Sequence, residues 1–273
     1  MMGVEQMDIS TLCAQIGLQF EMEKRVIDFA EKFDFSAVDQ PLKEFKNYEK
    51  MNEARKQLQA MLEDDEDHVK ILACMLKASA DLYDVYQRRG ICDEIYFDTM
   101  RCYTRFLDET YEMTGRLYFD RAWWTVRQAG GHLFRIGALE YEIEPVNDTT
   151  VLSIHIPSDA DFSPPSVDRS LAAAKEFFSS YSPQLENAEY RCRSWLLDRR
   201  LQGMLNRDSN IVRFQDRFAM IDEGEVDTEY YEWLFHTKSD EVKSFPENTL
   251  LQRNVKRYLL SGGAIRNTYG KLR

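Results

Sequence analysis

His155 is the residue of this sequence best suited to act as a general base. It lies in an alternating apolar and polar run, residues 151–156, which predicts a strand of a central sheet. An imidazole can accept and return a proton near neutral pH. Glu140 and Glu142 alternate on the preceding strand and are alternative bases. Each of these residues also has a purely structural interpretation. His155 could be a half-buried strand residue with one hydrogen bond, and Glu140 and Glu142 could simply face solvent.

Cys192 and Ser194 form a second candidate group, on one face of a strand predicted at residues 190–197. A thiol has the chemistry for covalent catalysis. Activated by His155, and with its pKa lowered by the arginines on either side, Cys192 would be a nucleophile. A free cysteine in a strand is more commonly a small buried apolar residue, so this hypothesis competes with a purely structural one.

Seven arginines between residues 191 and 217 make the one basic region of an acidic chain. Guanidinium groups bind phosphates through paired, charge-assisted hydrogen bonds, so this region could hold a phosphorylated ligand. Equally, these side chains could pair with carboxylates elsewhere on the protein. The seven are Arg191, Arg193, Arg199, Arg200, Arg207, Arg213 and Arg217.

Composition narrows the possible classes of partner. The chain has 273 residues and a formal net charge of −12, which argues against nucleic acid or an anionic membrane as the main partner. Its five cysteines show no C-x-x-C spacing, so we expect reduced thiols, no structural metal site and a cytoplasmic location. No window is long and apolar enough to predict a membrane span.

Hydrophobic periodicity changes near Gly130-Gly131, which predicts a boundary between two domains, residues 1–130 and 131–273. The first reads as helical, with a helix over residues 68–89, another over 93–113 and aromatic residues in its core. In the second, we expect strands at 132–145, 151–156, 190–197, 218–222 and 230–236, helices at 166–180, 199–205, 210–217 and 249–260, and an edge strand in 264–273.

This order predicts an α+β protein, in which a helical N-terminal domain precedes a mixed α/β sheet domain. The central strand, helix and strand, residues 151–197, should form a parallel and right-handed unit.

Four segments resemble a family of two-domain bacterial acyltransferases, whose members have a helical N-terminal domain and a GNAT-like C-terminal domain. The segments are Leu-Phe-Arg-Ile-Gly-Ala-Leu-Glu-Tyr-Glu at 133–142, His-Ile-Pro at 155–157, Cys-Arg-Ser-Trp-Leu-Leu-Asp at 192–198 and Ser-Asn-Ile-Val-Arg-Phe-Gln-Asp-Arg-Phe at 209–218. The resemblance covers most of the chain.

The resemblance implies an acyl-CoA-dependent transfer to the amine of a small molecule or a peptide, by direct attack on the thioester, with coenzyme A as co-substrate and no metal. It implies that the strands at 151–156 and 190–197 splay around the pantetheine arm and that residues 158–166 form the phosphate loop. Together with the candidates argued from residue type above, this mapping gives His155, Glu142, Cys192 and Ser194 as catalytic residues and Ile156, Ser158, Ser166, Arg193, Asn210 and Arg213 as cofactor-binding residues.

The phosphate loop departs from the family pattern. GNAT loops carry glycines, so that bare backbone can approach the phosphates, whereas this loop has none and contains Pro164 and Pro165, which lack an amide hydrogen. This departure favours a competing class, a GNAT-shaped binding or regulatory protein without catalysis. A cysteine-dependent acyl-transfer or hydrolytic enzyme is a third class. The sequence specifies neither the acceptor nor the oligomeric state.

Overall fold

The computed structural model describes residues 7–273. Within it the chain forms two units, one that ends at Arg135 and one that runs from Ile136 to Arg273. The sequence places the boundary five residues earlier, at the Gly130-Gly131 pair. Gly131 adopts a left-handed φ of +75° and ends the last helix of the first unit.

From residue 7 to Gly131 the first unit is helical, and residues 133–135 begin the first strand of the sheet. Its eight α-helices are α1 (Ile9–Ile16), α2 (Phe20–Ala30), α3 (Asp39–Glu44), α4 (Met51–Met61), α5 (Val69–Arg88), α6 (Asp93–Met100), α7 (Cys102–Thr114) and α8 (Ala122–Gly130). Residues 93–113 were expected to form one helix, but the chain breaks at Arg101 into α6 and α7.

Polar side chains fix the ends of these helices. The carboxylate of Asp65 accepts hydrogen bonds at 2.9 Å from the amides of Lys70 and Ile71, in the first turn of α5. Asp65, in the acidic run at residues 63–67, thus caps the start of α5. Gly115, with a φ of +68°, ends α7 in the left-handed conformation that glycine adopts without strain.

Aromatic residues form much of the core of the helical unit. Tyr96 and Tyr103 are fully buried, and the hydroxyl of Tyr96 donates to the Ser79 carbonyl at 2.9 Å. Their helical spacing therefore marks a packed core, as the periodicity indicated. Tyr111, further along α7, is instead 53% exposed.

The second unit is built on a mixed sheet, and together the two units make an α+β fold of the expected class. The six strands of the described chain are β1 (Leu133–Ile136), β2 (Leu139–Val146), β3 (Thr149–His155), β4 (Glu189–Ser194), β5 (Phe218–Asp222) and β6 (Thr268–Leu272), in the spatial order β1-β2-β3-β4-β6-β5. The helices of this unit are α9 (Pro164–Tyr181), α10 (Asn210–Gln215), α11 (Tyr230–Phe235) and α12 (Leu250–Leu260).

The centre of the sheet is the β3-α9-β4 crossover. β3 and β4 pair in parallel, as the sequence predicts, whereas β2 with β3, β4 with β6 and β5 with β6 are antiparallel. Helix α9 covers one face of this sheet. The hydroxyl of Tyr141 on β2 lies 2.9 Å from that of Ser170 on α9, and the Tyr141 ring packs edge-on against Phe178.

The side of the sheet opposite α9 is here called the polar face. Paired residues point to the same side of a sheet and alternate along each strand, so the register assigns its members. They include Glu140, Glu142, Glu144, Ser153, His155, Glu189, Arg191, Arg193, Tyr269 and Lys271.

Three sequence predictions for this unit are wrong. The strand expected at 132–145 is two strands separated at Gly137, whose φ of +63° is left-handed. The segment expected as a strand at 230–236 is helix α11. Tyr230, Leu234 and Phe235 recur at helical spacing and are buried in a cluster with Val255 and Phe245. The last strand, β6, is interior and not an edge strand.

Candidate functional site

The pairing of the two central strands stops before the strands themselves end. Parallel pairing runs from Val151 opposite Glu189 to Ile154 opposite Cys192. β3 continues to His155 and β4 continues to Ser194, where it still pairs with β6. Beyond Ile154 and Cys192 the middle of the sheet is therefore open, as the mapping of splayed strands requires.

His155 stands at this opening in contact with a buried carboxylate. Its Nε2 lies 2.8 Å from Oε2 of Glu142, and the side chains of His155 and Glu142 are 23% and 4% exposed. In the hairpin register Glu142 lies opposite Ser153, one diagonal step from His155. Cross-strand neighbours at this diagonal are within reach of long side chains.

The hairpin turn fixes this register. β2 and β3 are joined by Asn147 and Asp148, with Val146 opposite Thr149, and Asn147 has a left-handed φ of +53°. A two-residue turn of this kind determines which residues of the two strands face each other. A shift of one residue would move Glu142 to the other face of the sheet.

A second polar pair lies beside the first. The hydroxyl of Ser153 donates to Oε2 of Glu144, and Ser153 is nearly buried. Glu140, directly opposite His155, is 2% exposed. The glutamates at 140 and 142 are thus buried, contrary to the solvent-facing alternative from the sequence.

This arrangement can perform proton transfer. A carboxylate can only accept, so the His155 proton is assigned to Nε2 when the ring is neutral, which leaves Nδ1 as the basic nitrogen. Glu142 also stabilises the imidazolium that forms when the ring takes a second proton. His155 and Glu142, proposed separately as bases, are thus in hydrogen-bond contact, an arrangement in which one could serve as the base and the other could orient it.

Cys192 does not share this site. It is paired with Ile154, and residues that are paired lie on one face, so Cys192 and Ser194 point toward the α9 side while His155 points to the polar face. Complete burial raises the pKa of the Cys192 thiol to about 12. A histidine-activated Cys192 nucleophile, which requires hydrogen-bond contact with His155, is thus incompatible with the strand register.

Ser194 stabilises the turn that follows β4. Its hydroxyl oxygen accepts a hydrogen bond from the Leu196 amide at 3.1 Å and caps the 3₁₀ turn Trp195–Leu197 that ends the strand. The turn makes β4 shorter than the predicted 190–197, because three of those residues leave the sheet.

Several polar groups of the predicted phosphate loop, residues 158–166, form hydrogen bonds with one another. Asp161 accepts from the backbone amide of Ser163 at 2.9 Å and from its hydroxyl at 2.8 Å, bonds that lower the pKa of Asp161. The amide of Ser166, after the two prolines that open α9, donates to the Ser163 carbonyl at 3.0 Å. Ser158 is exposed, and Ile156, the first residue after β3, is half-buried.

The remaining predicted ligands of the cofactor lie on α10 and β4. Asn210 is exposed in the first turn of α10, and the guanidinium of the exposed Arg213 lies 3.5 Å from Asp208. Arg217, after α10, binds Asp168 of α9 at 2.7 Å, so one basic side chain already joins the two helices. Arg193 is exposed on the polar face.

The carboxylate that sequence reasoning missed is Asp198, which is 1% exposed. It accepts from the Arg200 amide at 2.9 Å, from the Arg200 guanidinium at 3.0 Å and from the Arg266 amide at 2.8 Å. Its position at the end of the resemblance segment 192–198 was the available signal. These three bonds hold the chain that leaves β4.

Neither a metal cluster nor a membrane span is found in residues 7–273. No group of three or more His, Cys, Asp and Glu side chains in this part of the chain is placed to hold a metal ion. None of its helices combines the length and the apolar character needed to cross a bilayer.

Comparison with solved structures shows the same fold over most of the chain. An acyltransferase in complex with decanoyl-CoA and teicoplanin is 21% identical, with a TM-score of 0.77 over 96% of this chain and 87% of that one. An acyltransferase in complex with CoA and 10C-teicoplanin is 20% identical, with a TM-score of 0.79 over 96% and 86%. An acyltransferase in complex with decanoyl-CoA is 19% identical, with a TM-score of 0.76 over 96% and 86%.

Family models match both halves of the sequence. No curated protein sequence matches the chain. Residues 7–131 match the N-acyltransferase N-terminal domain, and residues 133–272 match the GNAT-like C-terminal domain. The chain therefore belongs to the two-domain acyltransferase family in which an N-acyltransferase N-terminal domain precedes a GNAT-like C-terminal domain.

Proposed function

We propose that this protein is an acyl-CoA-dependent N-acyltransferase that acts on the amine of a small molecule or a peptide. The observation that carries the proposal is the pair of His155 and Glu142, 2.8 Å apart, at the point where the central strands separate. Membership of the family and the CoA ligands of the structural neighbours support the acyl donor.

The proposed reaction is a direct transfer without a covalent enzyme intermediate. The acceptor nitrogen attacks the thioester carbonyl carbon, His155 takes the proton that the nitrogen loses, and Glu142 stabilises the imidazolium. As the carbon–sulfur bond breaks, the departing thiolate takes up the proton that the His155 imidazolium gives back, directly or through water, and an amide and coenzyme A result. Cys192 has no part in this route because it lies on the other face of the sheet.

The opening between β3 and β4 suits a narrow, amide-bearing chain such as pantetheine. Beyond Ile154 the edge of β3 no longer pairs with β4, so backbone groups near Ile156 are placed to bond an extended ligand. For the phosphates we propose the hydroxyls of Ser158 and Ser166 together with Asn210 and Arg213. This places side chains where GNAT loops use backbone amides.

The acceptor is proposed to be a peptide-like amine. A structural neighbour is an acyltransferase in complex with both decanoyl-CoA and teicoplanin. At 21% identity this likeness supports the class of ligand and not its identity.

The start of α9 favours a second function, a GNAT-shaped binding protein without catalysis. Pro164 and Pro165 offer no amide hydrogens, and the Ser166 amide already donates to Ser163. Such a helix start binds an anion less well than one with free amides. On this alternative the His155–Glu142 pair is a buried polar contact of the core.

Thermal unfolding against coenzyme A, acetyl-CoA, octanoyl-CoA and decanoyl-CoA separates the two functions, with ATP as the anion control. A ligand at about a hundred times its dissociation constant adds roughly 2.7 kcal/mol of stability. We expect a saturable shift with an acyl-CoA and none with ATP. No shift with any of the thioesters at millimolar concentration would contradict acyl-CoA dependence.

Turnover is then measured as coenzyme A release with a panel of amines. We expect His155→Ala to lower kcat by about 100-fold or more, the usual effect of removing a general base. His68→Ala is the matched control, because His68 contacts the Phe119 carbonyl in the helical unit. A saturable acyl-CoA shift without turnover on any amine would support the binding-protein alternative.

A further inference from the structure

Arg193 is a charged residue of the polar face to which the proposed chemistry gives no task. It is exposed, and within residues 7–273 its guanidinium makes neither a hydrogen bond nor an ion pair. A cation without a partner beside a reaction site is available to a ligand. The other cations of the polar face, Arg191 and Lys271, both bind Glu189, so this availability distinguishes Arg193 among them.

The arginine two residues earlier shows the contrast. Arg191 projects to the same face, where its Nε donates to Glu189 and its Nη1 donates to the Tyr269 hydroxyl at 3.2 Å. The hydrogen bonds to Tyr269 and Glu189 raise the pKa of Arg191. Arg191 is therefore held within the sheet, while Arg193 is not.

Arg193 lies across the opening from the base. Ser153 is paired with Arg191, so the next same-face positions of the two strands are His155 and Arg193. Paired strands are about 4.8 Å apart, and these two positions lie just beyond the last pair, where the strands separate. A ligand between β3 and β4 on the polar face would contact both side chains.

The position of Arg193 on the polar face determines which anionic group it can bind. The segment after β3 leads into α9, which covers the opposite side of the sheet, so the phosphate end of an acyl-CoA belongs to that side. The attacking amine must reach His155 on the polar face. Arg193 shares the face with the base, and its anion is therefore a group of the acceptor. A planar guanidinium matches a carboxylate through two parallel hydrogen bonds.

We propose that Arg193 binds a carboxylate of the acceptor, which makes the acceptor an amino acid or a short peptide with a free carboxylate near its amine. This inference rests on the proposed function, since it places the acceptor amine at His155. It assigns Arg193 to the acceptor, whereas the family resemblance assigned it to the cofactor. His155 and Arg193 together then recognise both ends of an amino-acid unit.

One carboxylate of the protein competes for Arg193. Burial and the neighbouring Asp227 raise the pKa of Glu229, and the charge of Arg193 opposes them. The two side chains are close enough to interact electrostatically but do not form an ion pair. A test must therefore separate binding of a ligand from neutralisation of Glu229.

The test uses two acceptors that differ only in the carboxylate, glycylglycine and glycylglycinamide, with the acyl-CoA that stabilises the protein most. We expect the wild type to prefer the free acid by about tenfold or more in kcat/KM, and Arg193→Ala to bring this preference close to one. The expected size is the 10- to 100-fold effect of losing a charge-assisted hydrogen bond. Arg193→Lys should restore part of the preference, and the dissociation constant for coenzyme A should not change.

The other possible results would each contradict either this inference or the proposed function. A weaker affinity for coenzyme A in Arg193→Ala, with the acid preference intact, would overturn the inference in favour of a phosphate contact. Loss of activity on both acceptors, restored by adding Glu229→Gln, would overturn it in favour of charge neutralisation. A wild type that uses both acceptors equally, or binds acyl-CoA and acylates neither, refutes the acceptor class but not CoA binding. Absence of any acyl-CoA shift instead refutes the proposed function.

Discussion

Glu142→Gln is the most direct test of the paired site, because it keeps the shape of the side chain and removes its charge. The Glu142 carboxylate is 4% exposed and 2.8 Å from the imidazole of His155. A hydrogen bond to a charged group contributes about 1.5–3 kcal/mol and a neutral one about 0.5–1.5 kcal/mol. The difference of roughly 1–1.5 kcal/mol corresponds to about a tenfold lower kcat.

The assay is coenzyme A release at saturating acyl-CoA, measured for the wild type, Glu142→Gln, His155→Ala and the double variant. If Glu142 acts through the imidazole, its substitution should have almost no effect once His155 is absent. Glu144→Gln is the matched control, since that glutamate contacts Ser153 and should change kcat less than about twofold. An equal loss from Glu142→Gln with and without His155 would refute the pairing.

Three further predictions concern groups outside the pair. Iodoacetamide at pH 7.5 should label the exposed Cys92 and spare Cys192, because burial raises the pKa of the Cys192 thiol to about 12. Rapid labelling of Cys192 in peptide maps would contradict its burial. Thr249→Ala should lower the free energy of unfolding in urea by about 1 kcal/mol, because Thr249 forms a capping box with Gln252, whereas Ser209→Ala, at a cap without a side-chain bond, should change it little. The hydrogen bond from Arg25 lowers the pKa of Asp67 in the folded protein below its ordinary value of 3.8. The Arg25–Asp67 pair therefore stabilises the fold above pH 3.8, and this stabilisation is lost as the pH falls through the pKa of Asp67 in the folded protein. Asp67→Asn should therefore destabilise the protein at pH 7, and its difference from the wild type should close below about pH 4; a constant difference would contradict the shift.

The features of the fold that could be predicted are those encoded by local signals. Gly115 and Asp65 terminate and cap helices for reasons visible in the sequence. The parallel unit around α9 follows from a strand, a helix and a strand in succession. Helix α11 was missed because Tyr230 and its aromatic neighbours favour a strand, while their burial against Val255 favours the helix.

For the candidate site, the residues could be predicted from the sequence but the contacts between them could not. His155 and Glu142 could each be identified from residue type and strand position. Their contact depends on the register of the hairpin, which a two-residue turn at Asn147 determines. The exclusion of Cys192 likewise depends on which residue of β3 it faces, and alternation within one strand cannot supply the register between two strands.

The interior position of β6 has a consequence for how the sheet assembles. β6 pairs with β4 on one side and with β5 on the other, so residues 268–272 join strands that were made some 50 to 75 residues earlier. During synthesis, β1 to β4 can associate while β5 still lacks the neighbour it has in the native sheet. Until residues 268–272 emerge, β4 has one unpaired edge and β5 has no strand partner, and a chaperone or a second nascent chain can occupy either.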